Sequence, residues 1–389
     1  MKKVTTHNSR KASQRRGEPV STTAQDQSSA NAKSYQVIKL GVDTHGGSYT
    51  LSRMIDNQGL QPPQKMAPEA FLEFLKKQVM LAQRVVMVYE AGPYGYALYR
   101  QATALGVECL VCAPERLSRG RKRVNDKIDS RELLSRLHSY LTGNSAALRI
   151  VHVPTLQQEM SRRLARERNT YRKDRQRWIG RGRSLLHTLG IARPGRWWEM
   201  KRYQPLLQLI LEQYGPQVQA TIQQELERYL EMVLLMAKQL EQLTAQLRAA
   251  AQAKGGQRLR GVGLLSQELL DREIGDWNRF SNRRQVASYT GLCPGEESSG
   301  DSKMMLSIDK HGNPRIRAVL AELAWLLPRY QPDYVRLRRW QGILGEGSRA
   351  SRAARKKAVV ALARCLAVDL WRINTGRVKP EELGLVLAS

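Results

Sequence analysis

Two aspartates stand three residues apart inside a stretch rich in Arg and Lys. The stretch RGRKRVNDKIDSRELLSRL places Asp126 and Asp129 at the start of a helical pattern. Side chains at positions i and i+3 of a helix lie on one face, so the two carboxylates are expected to project together. Neighbouring carboxylates repel each other unless a cation lies between them. The pair predicts a cation site or, as the structural alternative, acids that stabilise the positive end of the helix dipole.

Two further acids end predicted strands. Asp43 ends the apolar run VIKLGVD and Glu90 ends VVMVYE, each before a turn that contains glycine. Adjacent strands would deliver both carboxylates to one edge of a sheet. Together with the helix pair they would offer the oxygen ligands that Mg²⁺ or Mn²⁺ prefers. Either ion can bridge a phosphodiester and stabilise the charge that develops during phosphoryl transfer.

The overall charge is strongly positive. The 389 residues include 64 Lys and Arg against 35 Asp and Glu, which gives a formal charge of +29. Because the excess is spread along the chain, it predicts nucleic acid as the partner, with an acidic membrane surface as the alternative. We expect the cations beside the paired aspartates to hold nucleic acid. These cations are Arg119, Arg121, Lys122, Arg123 and Lys127.

A second basic stretch, SRRLARERNTYRKDRQRWIGRGR, has a helical pattern in which nearly all charges are positive. A charge run is usually a solvated helix face, which is the alternative interpretation. The interleaved aromatic residues favour a surface that follows phosphates and stacks bases. Nucleic-acid contacts are therefore predicted for Arg162, Arg163, Tyr171, Arg175 and Trp178.

Two glycines and a lysine in the last third of the chain are further candidates. Gly261 and Gly263 lie between helical patterns in LRGVGLLSQELLDREIGD, and the spacing is similar to a helix-hairpin-helix. Glycines in such a turn let backbone N–H groups approach a phosphate, although a short G-x-G is a weak signal by itself. Lys310 in SIDKHGNPR is the third candidate contact.

Changes of composition along the chain predict four segments. Residues 1–34 are polar and form a flexible basic arm. Strand and helix patterns alternate over 35–150, which predicts an α/β domain. Residues 151–254 lack strand patterns and form a helical coiled-coil region, and 255–389 form a mainly α C-terminal domain around one loop rich in Gly, Ser and Glu.

The helical region contains two heptad-like patterns. One runs through Leu164, Tyr171, Trp178 and Leu185. The other runs through Leu226, Leu230, Val233, Ala237, Leu240, Thr244 and Leu247. Steps of four and three residues are typical of a coiled-coil seam. The two helices could fold back as an antiparallel pair or pair with another subunit, and the long apolar seam favours self-association.

The cysteines and the hydropathy indicate a cellular setting. The four cysteines show no disulfide framework, which fits a reducing, prokaryotic cytosol or nucleoid. Cys109 and Cys112 form a C-x-x-C inside the apolar run GVECLVCAP, so buried structural thiols are favoured over a metal site. No apolar run approaches the length of a membrane span, and no signal peptide is recognised.

The acids together resemble a known set. Asp43 in GVDTH, Glu90 in YEAGPYGY and the pair in NDKIDSREL are similar to the D-E-D-D residues of a RuvC-like, ribonuclease-H-type domain. The stretch SYTGLCPGEESSGDSKMMLSIDKHGNPRIRAVL is similar to the second signature of the bridge-RNA-guided insertion-sequence transposases, the "IS one-ten" group. The specificity of the resemblance lies in the co-occurrence of the two signatures.

This resemblance implies a reaction and its components. Its signature makes Ser299 the nucleophile that forms a phosphoserine with DNA, with Ser298 as the alternative one residue earlier. It implies Mg²⁺ or Mn²⁺ at the four acids, a structured guide (bridge) RNA, and a homo-oligomer, a dimer or a tetramer when assembled on DNA. Ser299 of one chain would then act with the acids of a neighbour.

Two competing functions stay open at this point. A metal-dependent nuclease of the junction-resolvase type would use water as the nucleophile, and Ser299 would be structural. A non-catalytic RNA- or DNA-binding coiled-coil protein would have degenerate acids. A covalent adduct between protein and DNA separates the first from the transposase, and metal binding at the carboxylates argues against the second.

Overall fold

The computed structural model describes residues 33–114, 126–299 and 302–388, with the backbone alone for 126–127, 296–299 and 302–305. The predicted arm over 1–34 therefore lies almost wholly outside the described residues. The chain divides into two compact units, Met1–Val153 and Pro154–Ser389. The further division at residue 254 stays a prediction.

The first unit is built on a five-stranded sheet. Its strands are β1 (Tyr35–Thr44), β2 (Tyr49–Ile55), β3 (Gln64–Met66), β4 (Ala82–Glu90) and β5 (Glu108–Cys112). Its helices are α1 (Pro68–Leu81), α2 (Ala97–Ala104) and α3 (Asp126–Leu141). The strand order is β3-β2-β1-β4-β5, in which β1, β2 and β3 are antiparallel and β1, β4 and β5 are parallel.

Helices cover both faces of this sheet, which explains why β1 and β4 are apolar almost throughout. On one face, Phe71 and Leu75 of α1 and Ala102 of α2 pack in the larger core. On the other face, Leu133 and Leu137 of α3 pack in a smaller core. The α/β prediction for this part of the chain is confirmed at this level, with the short, polar β3 as an addition.

The helix α3 approaches the sheet closely at a glycine. A Cβ at Gly41 would overlap the backbone of Ser130 and would lie 2.8 Å from Cα of Leu134. The hydroxyl groups of Ser130 and Ser52 lie 3.0 Å apart, which fixes the same contact through a buried hydrogen bond. The absence of a side chain at position 41 therefore determines how deeply α3 sits on the sheet.

The second unit is mainly helical. Its helices are α4 (Leu156–Thr188), α5 (Met200–Tyr214), α6 (Pro216–Lys254), α7 (Leu264–Ile274), α8 (Arg283–Thr290), α9 (Pro314–Tyr330), α10 (Gln341–Leu344) and α11 (Arg352–Asn374). Two strands, β6 (Pro294–Ser299) and β7 (Ser302–Ile308), form an antiparallel hairpin. Among the described residues, no helix is long and apolar enough to cross a membrane.

The helices α4 and α6 pack as an antiparallel pair. Arg168 donates from Nε to Oγ1 of Thr244 at 2.7 Å, while further along α4 the ring of Trp178 lies 5.8 Å from that of Tyr229. The reversed order of these contacts defines the antiparallel direction. Of the two arrangements that the sequence left open, the helices adopt the fold-back within one chain.

The residues predicted for the seam between the two helices are correct for α6 but not for α4. Leu226, Val233 and Leu247 of α6 are buried as predicted, whereas the buried residues of α4 include Ala165, Ile179 and Leu186, each one position after a predicted one. Because α4 covers this seam, the argument that an exposed stripe requires a second subunit is wrong. A homo-oligomer stays a prediction without that support.

The C-terminal part surrounds one large core to which α7, α8, α9 and α11 contribute. The segment rich in Gly, Ser and Glu was expected as a loop, and the structure corrects this. It forms the hairpin of β6 and β7, in which Glu297 pairs with Met304. Strand pairing across a short connection satisfies the backbone of a polar segment that has no strand-like composition of its own.

Replacing Gly41 by Ala should destabilise the first unit by about 1–3 kcal/mol, because the new methyl group would push α3 away from β1. Hydrogen exchange measured by mass spectrometry should show faster exchange in peptides from β1 and α3. Gly59→Ala is the matched control, since a Cβ there meets no atom within 4 Å. Equal exchange in the two variants would contradict the close approach.

Candidate functional site

Asp43 and Glu90 lie side by side at one edge of the sheet. Val42 pairs with Tyr89 in the parallel register of β1 and β4, so the next residues on the two strands are neighbours. Adjacent strands are about 4.8 Å apart, which sets the spacing of the two backbones. The structure therefore brings these two acids together as the sequence predicts.

The helix α3 begins at the same edge. Ser130 contacts Gly41 and Ser52, whereas His138, two turns later, contacts Lys39 at 3.2 Å. The helix thus runs opposite to β1, and its first turn, with Asp126 and Asp129, extends towards the end of the strand that carries Asp43. The side chain of Asp129 is half-buried.

Parts of this predicted site lie outside the described residues. The side chains of Asp126 and Lys127 are not described, and neither are the four cations before them, Arg119, Arg121, Lys122 and Arg123. Oδ2 of Asp43 lies 3.1 Å from Nε2 of His45. Among the described side chains, no three of His, Cys, Asp and Glu lie close enough to hold a metal ion.

The two candidate nucleophiles lie at the tip of the β6–β7 hairpin. Ser299 pairs with Ser302, and Ser298 pairs with Lys303, so these are the last described pairs of the hairpin. The connecting residues 300–301 and the side chains of both serines lie outside the described part. The backbone of both serines therefore lies at the end of the paired part of β6 and β7.

One backbone hydrogen bond closes the base of this hairpin, and a second joins α8 to the residue before α9. The N–H of Asp309 donates to the carbonyl of Cys293 at 2.9 Å. The N–H of Asn313 donates to the carbonyl of Tyr289 at 2.7 Å. A Cβ at Gly312 would overlap the backbone of Tyr289, so only glycine permits this approach. The hairpin therefore rises from a fixed base.

A buried carboxylate, Glu273, organises that base. Its side chain is 1% exposed and accepts two hydrogen bonds from Arg166, each at 2.8 Å. It also accepts one from Nδ2 of Asn313 at 2.8 Å, and Nε of Arg315 lies 3.9 Å away. Burial by itself would raise the pKa of Glu273, but the hydrogen bonds from Arg166 and Asn313 and the nearby guanidinium charges lower the pKa below its ordinary value.

This junction is the part of the site that sequence reasoning missed. Asn313 has a local signal, because Asn followed by Pro is a typical helix start, and its side chain accepts hydrogen bonds from the first turn of α9. Arg166 and Glu273 are 107 residues apart, and no local pattern connects them.

The basic helix α4 uses some of its cations inside the protein. Arg162 is 8% exposed and donates from Nε to the carbonyl of Arg272 at 3.0 Å. It holds α4 to α7, so we do not include it in a nucleic-acid surface. Arg163 is exposed on the same helix, and Tyr171 is half-buried.

The predicted stacking residue Trp178 already has partners. The guanidinium of Arg181 lies 4.1 Å from the centre of its ring, and Tyr229 packs beside it. Arg175 lies 5.9 Å from the ring of Trp198. A base could stack here only if it displaced such a contact.

Three arginines form an additional like-charge group on α4 and α6. Burial lowers the pKa of the Arg168 guanidinium below its ordinary value, and repulsion from Arg172 and Arg248 lowers it further. Groups of one sign in close proximity favour the binding of an anion. Arg168 keeps its place through its hydrogen bond to Thr244.

The two glycines lie in the turn between α6 and α7. Gly261 has a φ of 85°, and a Cβ there would lie 2.5 Å from Cβ of Tyr330. The close packing against Tyr330 is enough to require glycine at this position. Phosphate binding by Gly261 stays a prediction. Gly263 caps the start of α7. Lys310 is exposed, with a φ of 61° at the base of the hairpin.

Comparisons with known proteins identify relatives. Residues 257–337 match the family model described as "Transposase IS116/IS110/IS902 family". The chain is 33% identical over 312 residues to "Putative transposase y4rJ" of Sinorhizobium fredii, which covers 75% of this chain and 78% of the relative. It is 25% identical to the transposase for insertion sequence element IS1111A of Coxiella burnetii, over 71% of this chain and 74% of that one. The transposase for IS1533 of Leptospira borgpetersenii is 23% identical, over 74% and 84%.

Replacing Glu273 by Gln should lower the free energy of unfolding of the second unit by about 2 kcal/mol at neutral pH. The loss stays below that of a fully buried pair because Arg166 and Arg315 are 39% and 37% exposed and can be hydrated. All seven tryptophans lie in the second unit, so urea unfolding followed by tryptophan fluorescence reports on it.

The effect should depend on pH in one direction. Because the pKa of Glu273 is lowered in the folded state, its contribution is present above its ordinary pKa of 4.5 and is lost as pH falls through the lower folded value. The wild type and Glu273→Gln should therefore converge in acid. Glu241→Gln, which changes an exposed acid on α6, is the control and should match the wild type at neutral pH. A pH-independent difference would contradict this role.

Proposed function

The chain belongs to the IS116/IS110/IS902 family of transposases, and from this premise we propose that it cuts and rejoins DNA through a phosphoserine intermediate on Ser299. The DNA substrates are the end of an insertion sequence and its target. A structured guide RNA selects them, and a divalent metal ion at Asp43, Glu90, Asp126 and Asp129 assists the reaction.

The first unit supports the metal-site part of this proposal. The observation that carries it is the placement of Asp43 beside Glu90, with the first turn of α3 at the same edge. The mixed sheet, in which β2 and β3 run antiparallel to the parallel set, supports a RuvC-like, ribonuclease-H-type domain. The sheet edge where parallel strands end is a usual location for catalytic groups.

The donor chemistry of these residues fits a hard divalent cation. All four are carboxylates, and Mg²⁺ and Mn²⁺ prefer oxygen ligands. Asp43, Glu90 and Asp129 do not form a metal-binding group by themselves in the described part of the chain, and the side chain of Asp126 lies outside it. We propose Asp126 as the fourth ligand. When bound, Mg²⁺ or Mn²⁺ would neutralise negative charge on the phosphodiester.

The serine step is balanced without an external energy source. Oγ of Ser299 attacks the phosphorus, one P–O bond of the DNA breaks as the serine–phosphate bond forms, and the serine proton passes to the departing sugar oxygen. A hydroxyl group of another DNA strand then attacks the same phosphorus and releases the serine. One ester is exchanged for another at each stage, so a broken strand can be rejoined.

The charge of the chain supports the nucleic-acid partners. DNA binding follows from the activity of a transposase, and the formal charge of +29 supplies the general attraction. Guide RNA is proposed from the resemblance in the two signatures. Exposed Arg163 and the group of Arg168, Arg172 and Arg248 form the proposed nucleic-acid surface of the second unit.

Replacing Asp126 by Asn should slow strand transfer at least about 100-fold, because the charge stabilisation lost with a bound metal ion is worth several kcal/mol. Nucleic-acid binding should be nearly unchanged, since a net charge of +29 changes by one. Strand transfer, DNA binding and calorimetric titration with Mn²⁺ measure the three quantities. Glu73→Gln, an exposed acid on α1, is the control. Unchanged Mn²⁺ affinity in Asp126→Asn would remove Asp126 from the site.

Replacing Ser299 by Ala should abolish the covalent adduct, because Ala has no nucleophilic oxygen. The reaction is trapped on labelled DNA, the protein is denatured, and the attached peptide is identified by mass spectrometry. Ser298→Ala is the matched control and should form the adduct at the wild-type rate. An adduct in Ser299→Ala that disappears in Ser298→Ala assigns the neighbour. Cleavage without any adduct in the wild type supports the water-using nuclease instead.

A further inference from the structure

A basic segment follows α9 and extends past residue 337, where the match to the family model ends. Residues 336–357 contain eight cations and one acid, Glu346. The cations are Arg336, Arg338, Arg339, Arg349, Arg352, Arg355, Lys356 and Lys357. We call this the C-terminal basic segment.

Two of the eight cations are held by hydrogen bonds, and a third, Arg339, lies 5.8 Å from the ring of Trp340. Arg336 donates from Nε to the fully buried carboxylate of Asp369 at 3.0 Å. Arg355 donates to the carbonyl of Ser348. The other six are Arg338, Arg339, Arg349, Arg352, Lys356 and Lys357, and all of them are exposed. In the part of the chain that the structure describes, none of the six forms an ion pair with a carboxylate.

The six cations stand on an ordered support. A helical turn over Leu337–Trp340 leads into α10, and Leu337 is 3% exposed in the C-terminal core. The connection to α11 folds back on α10 through a hydrogen bond from Oγ of Ser348 to the carbonyl of Gly342 at 2.8 Å. Ser351 then caps α11 by accepting from the N–H of Ala354 at 3.1 Å.

The charges at the start of α11 destabilise that helix end when no anion is bound. The positive end of a helix dipole favours acids, yet the first turn of α11 contains no acidic residue. Arg352 lies in the first turn instead, and Lys356 and Lys357 follow in the second turn. Arg352 and Lys356 are four residues apart and are therefore neighbours on the helix surface. The helix α9 also begins with arginines, but Arg317 donates to the carbonyl of Thr290 at 3.1 Å. A bound polyanion would relieve the repulsion at the start of α11.

We propose that the C-terminal basic segment binds the phosphate backbone of duplex DNA, at a site distinct from the surface on α4. The proposal rests on the DNA-recombining activity stated above and adds a second contact for that substrate. Phosphates repeat at short intervals along a duplex, so several separated cations can be neutralised together. A membrane surface is disfavoured, because insertion needs an exposed apolar helix face. The apolar residues of α11, including Ala358, Val359 and Leu362, are buried in the core.

A charge-matched pair of variants tests the site. The first carries Arg352→Gln, Lys356→Gln and Lys357→Gln. The control carries Lys76→Gln, Lys77→Gln and Lys379→Gln, which removes three cations elsewhere. Duplex DNA affinity is measured as a function of salt concentration. The slope of log K against log salt should fall by about 2 to 3 in the first variant, at about 0.9 for each lost phosphate contact, and by less than about 1 in the control.

Stability should change in the opposite direction to binding. Removing cations from the positive end of α11 should leave the Tm equal to or above that of the wild type. A lower Tm together with weaker binding would indicate a structural role and overturn the proposal. Equal salt slopes in the two triple variants would also overturn it. At low salt and saturating DNA, the first variant should still form the serine adduct. That result would show that the three cations contribute to DNA binding and not to the reaction at Ser299.

Lysine footprinting on the wild type avoids any effect of substitution. Acetylation of Lys356 and Lys357 should fall at least about 5-fold when duplex DNA is bound, as expected for cations held on phosphates. Lys76 and Lys77 should react equally with and without DNA. Protection by structured RNA but not by duplex DNA would overturn the DNA assignment, and protection only by anionic vesicles would overturn binding to nucleic acid.

Discussion

The burial of Glu273 beneath Arg166 is the contact around which the second unit is arranged. A carboxylate that is 1% exposed must have partners of opposite charge, and here the partners come from α4 and from the start of α9. Through Asn313 the same carboxylate reaches the residues that close the hairpin carrying Ser298 and Ser299. One buried acid thus connects the long basic helix to the base of the loop proposed to perform the chemistry.

A different constraint organises the first unit. The close contact of α3 with Gly41 determines where the first turn of that helix lies relative to the ends of β1 and β4. A larger residue at position 41 would move the helix, and the acids of α3 would move with it. The proposed metal site therefore depends on a residue that carries no chemical group of its own.

Arginines of similar sequence context have different roles in this chain. Arg162 donates to the carbonyl of Arg272 and Arg336 donates to the buried carboxylate of Asp369, so both connect segments that are distant in sequence. Arg163, one position after Arg162, is exposed, as are Arg352 and its neighbours at the start of α11. The helical repeat separates neighbouring positions by about 100°, so adjacent cations face the interior and the solvent in turn. The surplus charge available for nucleic acid is therefore smaller than the count of cations, and it is concentrated on particular surfaces.

The sequence by itself determined the class of the molecule and the local elements. The apolar runs of β1, β4 and β5 and the periodic helices were predicted, because pleat and helix periods are local properties of the chain. The acids Asp43, Glu90, Asp126 and Asp129 were likewise identified from their places at strand ends and at a helix start, whereas the serines at 298 and 299 were identified through the resemblance to a family signature. Tertiary structure alone decided the pairing of α4 with α6 within one chain, the one-residue offset of its seam, and the hairpin at 294–308. These features depend on contacts between residues far apart in sequence, such as Arg166 and Glu273, and on the space left by Gly41, which no local pattern encodes.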